Sequence, residues 1–316
     1  MASQIITEPT SARFSNPIVR YFAATRPAFF SATLAACLLG LVGAAFSGVS
    51  FQLATAAFTL LLALLVHASV NVINDYFDAM NGTDAANTER LYPFTGGSRF
   101  IQNGVLTTAQ TAYFGYLLLA CAIIGGLWLS WSVGAGLLII GLVGVSVGWA
   151  YSAAPLRLNG RGLGELCVTI GFLGIVVGAD YVQRHMFSLQ PIIVGLPYAL
   201  LVTNLLYINQ FPDRKADAAA GKHHLVVRLQ LAKAVLIYPM LAGFAFVWLS
   251  LMVMVGLLPV RAMLSALPLL LSMRASLLLR QFAANPAQLL PAIQLTIVAM
   301  LSHALLLIIV MLWEMP

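Results

Sequence analysis

Long apolar stretches, separated by short polar segments, cover most of the chain. A transmembrane helix needs about 20 consecutive apolar residues, and nine such stretches begin near Pro27, Phe51, Thr107, Ser132, Gly164, Gln190, Leu231, Leu257 and Leu289. The run from Leu137 to Val145 is apolar at odd and even positions alike, unlike the alternating pattern of a membrane β-strand. The pattern predicts an all-α, polytopic membrane protein with about nine transmembrane helices.

The two ends of this pattern are less regular. Pro259, Arg261, Pro268 and Arg274 interrupt the eighth stretch, so we expect a tilted or broken helix between residues 257 and 279. Residues 1–26 carry charged side chains but no apolar core, which is typical of a lead-in and not of a cleavable signal peptide. The predicted organisation is a cytoplasmic lead-in of residues 1–26 and a single transmembrane domain of residues 27–316.

Composition and charge agree with a membrane protein. Of the 316 residues, 61% are hydrophobic and only 8% are charged, too few polar groups to cover a soluble globule. With nine helices, only Arg184 and Arg261 of the 16 Lys and Arg residues fall on one surface. The positive-inside rule makes the other surface cytoplasmic, which predicts a cell (inner) membrane protein with a cytoplasmic amino terminus. The basic net charge is explained by the bilayer, and no nucleic-acid partner is predicted.

A first acidic cluster lies at the cytoplasmic end of the second predicted helix. Each member is three or four positions from another, so all share one helix face: His67, Asn71, Asn74, Asp75 and Asp78. Gly82 is expected to end this helix in a left-handed conformation. Asp84 would then return from the loop towards the cluster.

A second acidic cluster ends the sixth predicted helix, where Asn209, Asp213 and Asp217 recur at steps of four. Pro212 is expected to produce a kink or a new first turn, with the two aspartates on the short helix that follows. Both clusters have the pattern Asn-x-x-x-Asp and both lie at the cytoplasmic surface. They are therefore able to face each other.

Carboxylates at membrane depth need a cation, because an unpaired one costs about 2.5–3.5 kcal/mol on insertion scales. Mg²⁺ is commonly held by one or two carboxylates, with substrate phosphate oxygens completing its shell. Two facing acidic clusters therefore predict Mg²⁺ ions that bridge to a diphosphate. The alternative is that these are solvated loop acids neutralised by neighbouring Lys and Arg.

The motifs themselves resemble a known family. NDYFD with Asp84, and NQFPDRKAD followed by AGK and VVRL, resemble the paired aspartate motifs of the UbiA superfamily of intramembrane aromatic prenyltransferases. The loop YSAAPLRLNGRGLGE (151–165) and Arg26-Pro27 also fit. GGSR (96–99), NGRGLGE (159–165) and ADYVQ (179–183) look most like the 1,4-dihydroxy-2-naphthoate polyprenyltransferase branch. The resemblance implies helices around a central cavity, a cytoplasmic polar cap and a lateral opening to lipid.

The resemblance also implies roles for individual residues. Mg²⁺ would be held by Asn71, Asp75, Asp78, Asn209, Asp213 and Asp217, with Asp84 able to join either set. The diphosphate would be bound by Arg26, Arg99, Arg157, Arg214 and Lys222. The catalytic group would comprise Asp75, Asp78, Asp213, Asp217 and Tyr151, whose ring is placed to stabilise an allylic cation. His67 is expected to be a packing residue, and Asp180 with Arg184 a helical ion pair.

The resulting hypothesis is Mg²⁺-dependent transfer of an isoprenoid chain from a polyprenyl diphosphate to a small aromatic acceptor. The best candidate acceptor is 1,4-dihydroxy-2-naphthoate in menaquinone synthesis, and the alternative is 4-hydroxybenzoate or another aromatic compound. Two alternatives of another class are a cation-coupled transporter and a noncatalytic isoprenoid-binding membrane protein. A transporter site is expected near the bilayer midplane, whereas both clusters here are predicted at one surface.

Overall fold

The computed structural model describes residues 7–315, so residues 1–6 of the predicted lead-in and Pro316 lie outside the described part. The described chain is all-α and contains no strand, as predicted. Its helices are α1 (Pro17–Ala24), α2 (Phe30–Phe46), α3 (Leu53–Met80), α4 (Thr83–Ala86), α5 (Thr108–Val133), α6 (Gly136–Ser152), α7 (Gly164–Arg184), α8 (Gln190–Ala219), α9 (Leu225–Arg228), α10 (Leu231–Met254), α11 (Leu269–Phe282) and α12 (Leu290–Trp313). Short 3-10 turns occupy Pro27–Phe29, Leu158–Arg161, Val260–Ala266 and Pro286–Gln288.

The helices match the apolar stretches in the sequence. Within residues 7–315, eight helical segments are long and apolar enough to cross a membrane, and the apolar helix α6 is shorter, with 17 residues. The eighth predicted stretch is broken as expected: a 3-10 segment ends at Ala266, and α11 begins after Pro268. The break follows from Pro268, which has no backbone N–H to continue a helix.

Helix α8 differs from the prediction. We expected a separate short helix after Pro212, but α8 is one continuous helix of 30 residues with Pro197 and Pro212 inside it. A proline in a membrane helix is tolerated where neighbouring helices surround it, and Pro212 is itself buried. Asp213 and Asp217 consequently lie on the same helix as Asn209, at steps of four residues.

Polar side chains tie α8 to the helices around it. Tyr198 donates its hydroxyl to the carbonyl of Ala32 in α2 at 2.8 Å, and Tyr207 donates to Ala234 in α10 at 2.7 Å. Since each hydroxyl is fully buried, each bond also removes a desolvation penalty. Helix α7 packs against α2, α6 and α8, and α3 packs against α5. This arrangement leaves a space between α3, α5, α6, α7 and α8.

The lead-in contains a short helix that the apolar pattern did not predict. Asn16 caps α1 by accepting from the backbone N–H of Ile18 at 2.9 Å. Upstream, Glu8 contacts Arg90 at 2.5 Å and accepts from Asn103 at 3.1 Å. The lead-in is therefore fastened to the loop between α4 and α5, which carries the residues nearest to Asp84.

Candidate functional site

A cavity of about 770 Å³ lies among the helices. One end is lined by polar side chains from α3, α4, α8 and the loop after α8, and the rest is lined by apolar side chains and glycines of α3, α5, α6 and α7. A concave site with an apolar wall and a few convergent polar groups is typical of ligand binding. The following residues of the two acidic clusters line it: Asn71, Asn74, Asp78, Asp84, Asn209, Asp213 and Asp217.

Helix α3 holds Asp78 towards the cavity and Asp75 beside it. Asp78 accepts from Asn74 Nδ2 at 3.1 Å and from Asn81 Nδ2 at 3.3 Å. Asp75 forms an ion pair with Arg26 and accepts from the backbone N–H of Ser98 at 3.3 Å. Asp75 is therefore already neutralised by a cation, and it does not line the cavity.

Helix α8 carries the second acidic cluster, Asn209, Asp213 and Asp217. Asp213 accepts from Asn87 Nδ2 at 2.5 Å, and Asp217 lies 2.9 Å from His224 Nε2. Asn209 lines the cavity, and its side-chain oxygen is buried without a hydrogen-bond partner. The expected stripe of three polar residues on one helix face is thus present, with its two aspartates held by neighbouring side chains.

Lys222 lies between the two acidic clusters and contacts one carboxylate of each. Its Nζ lies 3.1 Å from Asp78 Oδ2 on α3 and 3.6 Å from Asp217 Oδ1 on α8. Burial would lower the pKa of Lys222, but the two carboxylates outweigh burial and hold its pKa well above the usual value. The acidic clusters therefore face each other across one ammonium group, at the same end of the cavity.

Asp84 comes back from the loop as expected. Gly82 has φ 82°, the left-handed conformation predicted for it, and α4 then buries Asp84 beside Gly97. Arg99 donates to the Asp84 backbone carbonyl. Burial, with Asp78 and Asp75 close by, raises the pKa of Asp84 to about 8, because the charged form loses hydration and meets like charges.

The five predicted diphosphate-binding cations are placed differently. Arg26 and Lys222 line the cavity, whereas Arg99 is buried behind Asp84 and Arg157 is exposed. Arg214 donates to the carbonyls of α9 and its C-cap at 2.9 and 3.2 Å. Three of the five adopt positive φ: Arg26 at 58°, Arg99 at 66° and Arg157 at 42°. Such strain in non-glycine residues concentrates at functional sites.

Two ring side chains border the polar end. Tyr151 lines the cavity, as predicted for a residue facing the substrate. His67 also lines it, with Nδ1 2.6 Å from Thr33 Oγ1 and edge contacts to Phe30 and Phe172. His67 therefore has the packing partners expected of a structural residue while facing the cavity. At the opposite end of α7, Asp180 pairs with Arg184 at 2.8 Å, the predicted helical ion pair.

Several cavity residues were missed by the sequence reasoning. Asn87 binds Asp213, His224 binds Asp217, and Gln210 has a buried side-chain oxygen without a partner. Asn87 follows Asp84 by three positions, a helical spacing that would have indicated it. Gln210 and His224 had no periodic signal and were found only through the folded structure.

The donor set suits a hard cation such as Mg²⁺. Apart from His67, the cluster side chains all offer oxygen, and the buried side-chain oxygens Asn209 Oδ1, Gln210 Oε1 and Asp217 Oδ1 have no hydrogen-bond partner. In the part of the chain described, no three or more His, Cys, Asp or Glu side chains are grouped closely enough to hold a metal by themselves.

Comparison with protein families matches residues 22–313 to the UbiA prenyltransferase family. A 1,4-dihydroxy-2-naphthoate octaprenyltransferase of Bacillus subtilis (strain 168) is 28% identical over 240 residues, 73% of each chain. An enzyme of the same name from Escherichia coli (strain K12) is 29% identical over 211 residues, covering 65% of this chain and 66% of its own.

Solved structures share the fold. A structure described as digeranylgeranylglyceryl phosphate synthase has a TM-score of 0.66 at 16% identity and covers 94% of this chain and 99% of its own. A UbiA homolog from Archaeoglobus fulgidus bound to GPP and Mg²⁺ has a TM-score of 0.57 at 12% identity, with coverage of 91% and 99%. At 16% and 12% sequence identity, the structural similarity establishes that the fold is shared.

Proposed function

The chain belongs to the UbiA prenyltransferase family, and on this premise we propose that it transfers a polyprenyl chain from its diphosphate to 1,4-dihydroxy-2-naphthoate. The observation that carries the proposal is the pair of acidic clusters from α3 and α8, which face each other across Lys222 at the polar end of one cavity. The basic surface at that end supports a cytoplasmic site in the cell membrane. Residues 27–316 form the catalytic transmembrane domain in this proposal, and residues 1–26 form a cytoplasmic lead-in.

The polar end would bind the diphosphate and the metal. Mg²⁺ would be held by the predicted ligands that line the cavity, Asn71, Asp78, Asp84, Asn209, Asp213 and Asp217, whereas Asp75 would act through its ion pair with Arg26. When bound, it would neutralise the negative charge that develops on the departing diphosphate. Arg26 and Lys222, which line the cavity, would contact the diphosphate oxygens as fixed cations. Arg99 would act indirectly, because it donates a hydrogen bond to the backbone carbonyl of Asp84 and so helps to hold that residue in place.

The apolar part of the cavity would receive the isoprenoid. Breaking the bond between the first isoprenoid carbon and the diphosphate oxygen produces an allylic cation, which water would destroy. Tyr151 lines the cavity near Lys222 and Asp78, where its ring face would stabilise that cation. The acceptor ring carbon then forms the new carbon–carbon bond and loses the group it carried, as a proton or as CO2 from a carboxylate, which restores the aromatic ring. The diphosphate leaves with the electron pair of the broken carbon–oxygen bond. A wall of apolar side chains excludes the competing water.

The naphthoate acceptor is supported by the names of the relatives in Bacillus subtilis and Escherichia coli. A further relative, 29% identical over 218 residues, is a 2-carboxy-1,4-naphthoquinone phytyltransferase of Synechocystis. All three names describe bicyclic acceptors or products. 4-Hydroxybenzoate remains the alternative acceptor, and the test below offers both compounds.

The test uses purified protein with octaprenyl diphosphate, Mg²⁺ and equal amounts of the two acceptors, and products are identified by mass. We expect prenylated naphthoate, its loss with EDTA, and its loss in Asp213→Asn with the folded fraction unchanged. Glu89→Gln is the control, because Glu89 pairs with Lys215 outside the cavity. Prenylated 4-hydroxybenzoate alone would refute the acceptor, and full turnover of Asp213→Asn would refute the metal assignment.

A further inference from the structure

Two rows of glycine form one wall of the cavity. Helix α6 contributes Gly141, Gly144 and Gly148, and α7 contributes Gly171, Gly174 and Gly178. Within each row the steps are three and four residues, so every glycine of a row lies on one helix face. The two helices pack against each other, and each row leaves a strip of bare backbone between side chains that also line the cavity, such as Val145 on α6 and Phe172 on α7.

Close helix packing accounts for at most two of these six glycines: an added Cβ would lie 2.9 Å from Val70 Cγ2 at Gly148 and 3.5 Å from Ile140 Cγ2 at Gly178. A Cβ added at Gly141, Gly144, Gly171 or Gly174 would meet no heavy atom within 4 Å. At Gly40, by contrast, an added Cβ would lie 2.2 Å from the Val176 carbonyl oxygen. Each helical glycine costs about 1 kcal/mol relative to alanine. The glycines with no neighbour therefore lower helix stability and leave open space inside the cavity.

The rows run along the axes of α6 and α7, away from the polar end. Helix α7 begins near Asn159 and Tyr151 and proceeds past Gly171 to Gly178, while α6 runs back in the opposite direction. Seven residues of helix rise about 10 Å, so each row is long and narrow. At the polar end the same cavity receives the Gln210 side-chain oxygen, which is buried and has no partner. The cavity thus joins unpartnered polar atoms to an elongated apolar track.

We propose that these glycine rows are the track for the isoprenoid tail and that they determine which donor lengths the enzyme accepts. The inference rests on the proposed function, because it takes the occupant to be a prenyl diphosphate. A tail lying along bare backbone gains contact without meeting side chains that would stop it. A side chain placed on the track would exclude tails that reach its depth and spare shorter ones.

The test compares Gly171→Leu, near the polar end, with Gly141→Leu, at the far end. Gly171→Leu should lower kcat/KM for farnesyl and octaprenyl diphosphates, whereas Gly141→Leu should lower it for octaprenyl diphosphate alone. Each loss, relative to geranyl diphosphate, should exceed about tenfold, since even one methylene in an apolar pocket changes specificity by 10-fold or more. Ratios between donors are unaffected by a smaller folded fraction.

Gly243→Leu is the matched control. An added Cβ at Gly243 in α10 also meets no atom within 4 Å, and Gly243 lies outside the cavity. Unchanged donor ratios in both cavity variants, or an equal change in Gly243→Leu, would overturn the proposal. Donor-induced thermal stabilisation with Mg²⁺ and without acceptor gives a second readout. If the wild type binds all donors but prenylates neither acceptor, the proposed function fails while the binding ratios still decide this inference.

Discussion

Replacing Lys222 by Met should destabilise the metal-free protein by about 3 kcal/mol, the lower end of what breaking a buried ion pair costs. Lys222 stands between Asp78 and Asp217, whose side chains are 8% and 3% exposed. Without the ammonium group, carboxylates of α3 and α8 face each other with little water to screen them. The loss stays at the lower end because Asn74 and His224 still bind the two carboxylates. Met keeps the apolar stem, so no cavity is added.

Lys215→Met provides a control with the same chemical change. Lys215 Nζ is 2.5 Å from Glu89, closer than Lys222 is to either carboxylate, but the Lys215 side chain is 76% exposed. Exposed ion pairs contribute about 0–1 kcal/mol. If burial decides the energy, the longer ion pairs of Lys222 matter more than the shorter pair of Lys215.

The measurement is the apparent melting temperature in detergent, with EDTA or with Mg²⁺. In EDTA the Lys222 variant should melt several degrees below the Lys215 variant, since about 1 kcal/mol shifts melting by roughly 2–4 °C in larger proteins. Mg²⁺ should restore more of the loss in the Lys222 variant than in the control, because it can neutralise the same carboxylates. Equal melting of the two variants in EDTA would refute the reasoning.

Two further predictions concern the loop over the polar end. Gly97→Ala should lower turnover more than Gly104→Ala. Both glycines have positive φ (76° and 67°), but only at Gly97 would the added Cβ collide, since it would lie 2.4 Å from Asp84 Oδ2. Equal turnover of the two variants would contradict this prediction. The second prediction concerns Asp84, whose pKa is about 8 in the folded protein and ordinarily 3.8. Because the folded state keeps the Asp84 proton to a higher pH than the unfolded state, the stability of the metal-free protein should fall as pH rises from about 4 to 8. Asp84→Asn should flatten that slope in a pH series of melting curves, and an unchanged slope would exclude Asp84 as its source.

The helices were predictable because lipid imposes a simple rule. Every backbone polar group must be satisfied within the segment, so long apolar runs such as the one starting near Gln190 have only one available conformation. The stripe of Asn209, Asp213 and Asp217 followed from helical spacing in the same way. Pro212 misled the prediction because local propensity predicts a helix break, whereas burial among neighbouring helices keeps α8 continuous.

The partners of the site residues were not predictable to the same degree. Arg214 belongs to the second motif, yet it binds backbone carbonyls near α9, since only the folded chain shows which way its side chain points. Asn87 reaches Asp213 across 126 positions of sequence. Such contacts depend on how α4 and α8 meet, which no local pattern records. The glycine rows were visible in the sequence but gained meaning only when one cavity was found along both.

The charge at the polar end also constrains the order in which ligands enter. Even with Asp84 protonated at neutral pH, Asp75, Asp78, Asp213 and Asp217 outnumber the two cations that line the cavity, Arg26 and Lys222. Both cations already contact carboxylates. A free diphosphate would add negative charge to a buried region that has an excess of it, and repulsion is strong where water is scarce. Mg²⁺ reverses this balance, so donor binding should require the metal. Octaprenyl diphosphate should therefore raise the melting temperature with Mg²⁺ and leave it unchanged in EDTA, and the same stabilisation in EDTA would show that Arg26 and Lys222 suffice to bind the donor.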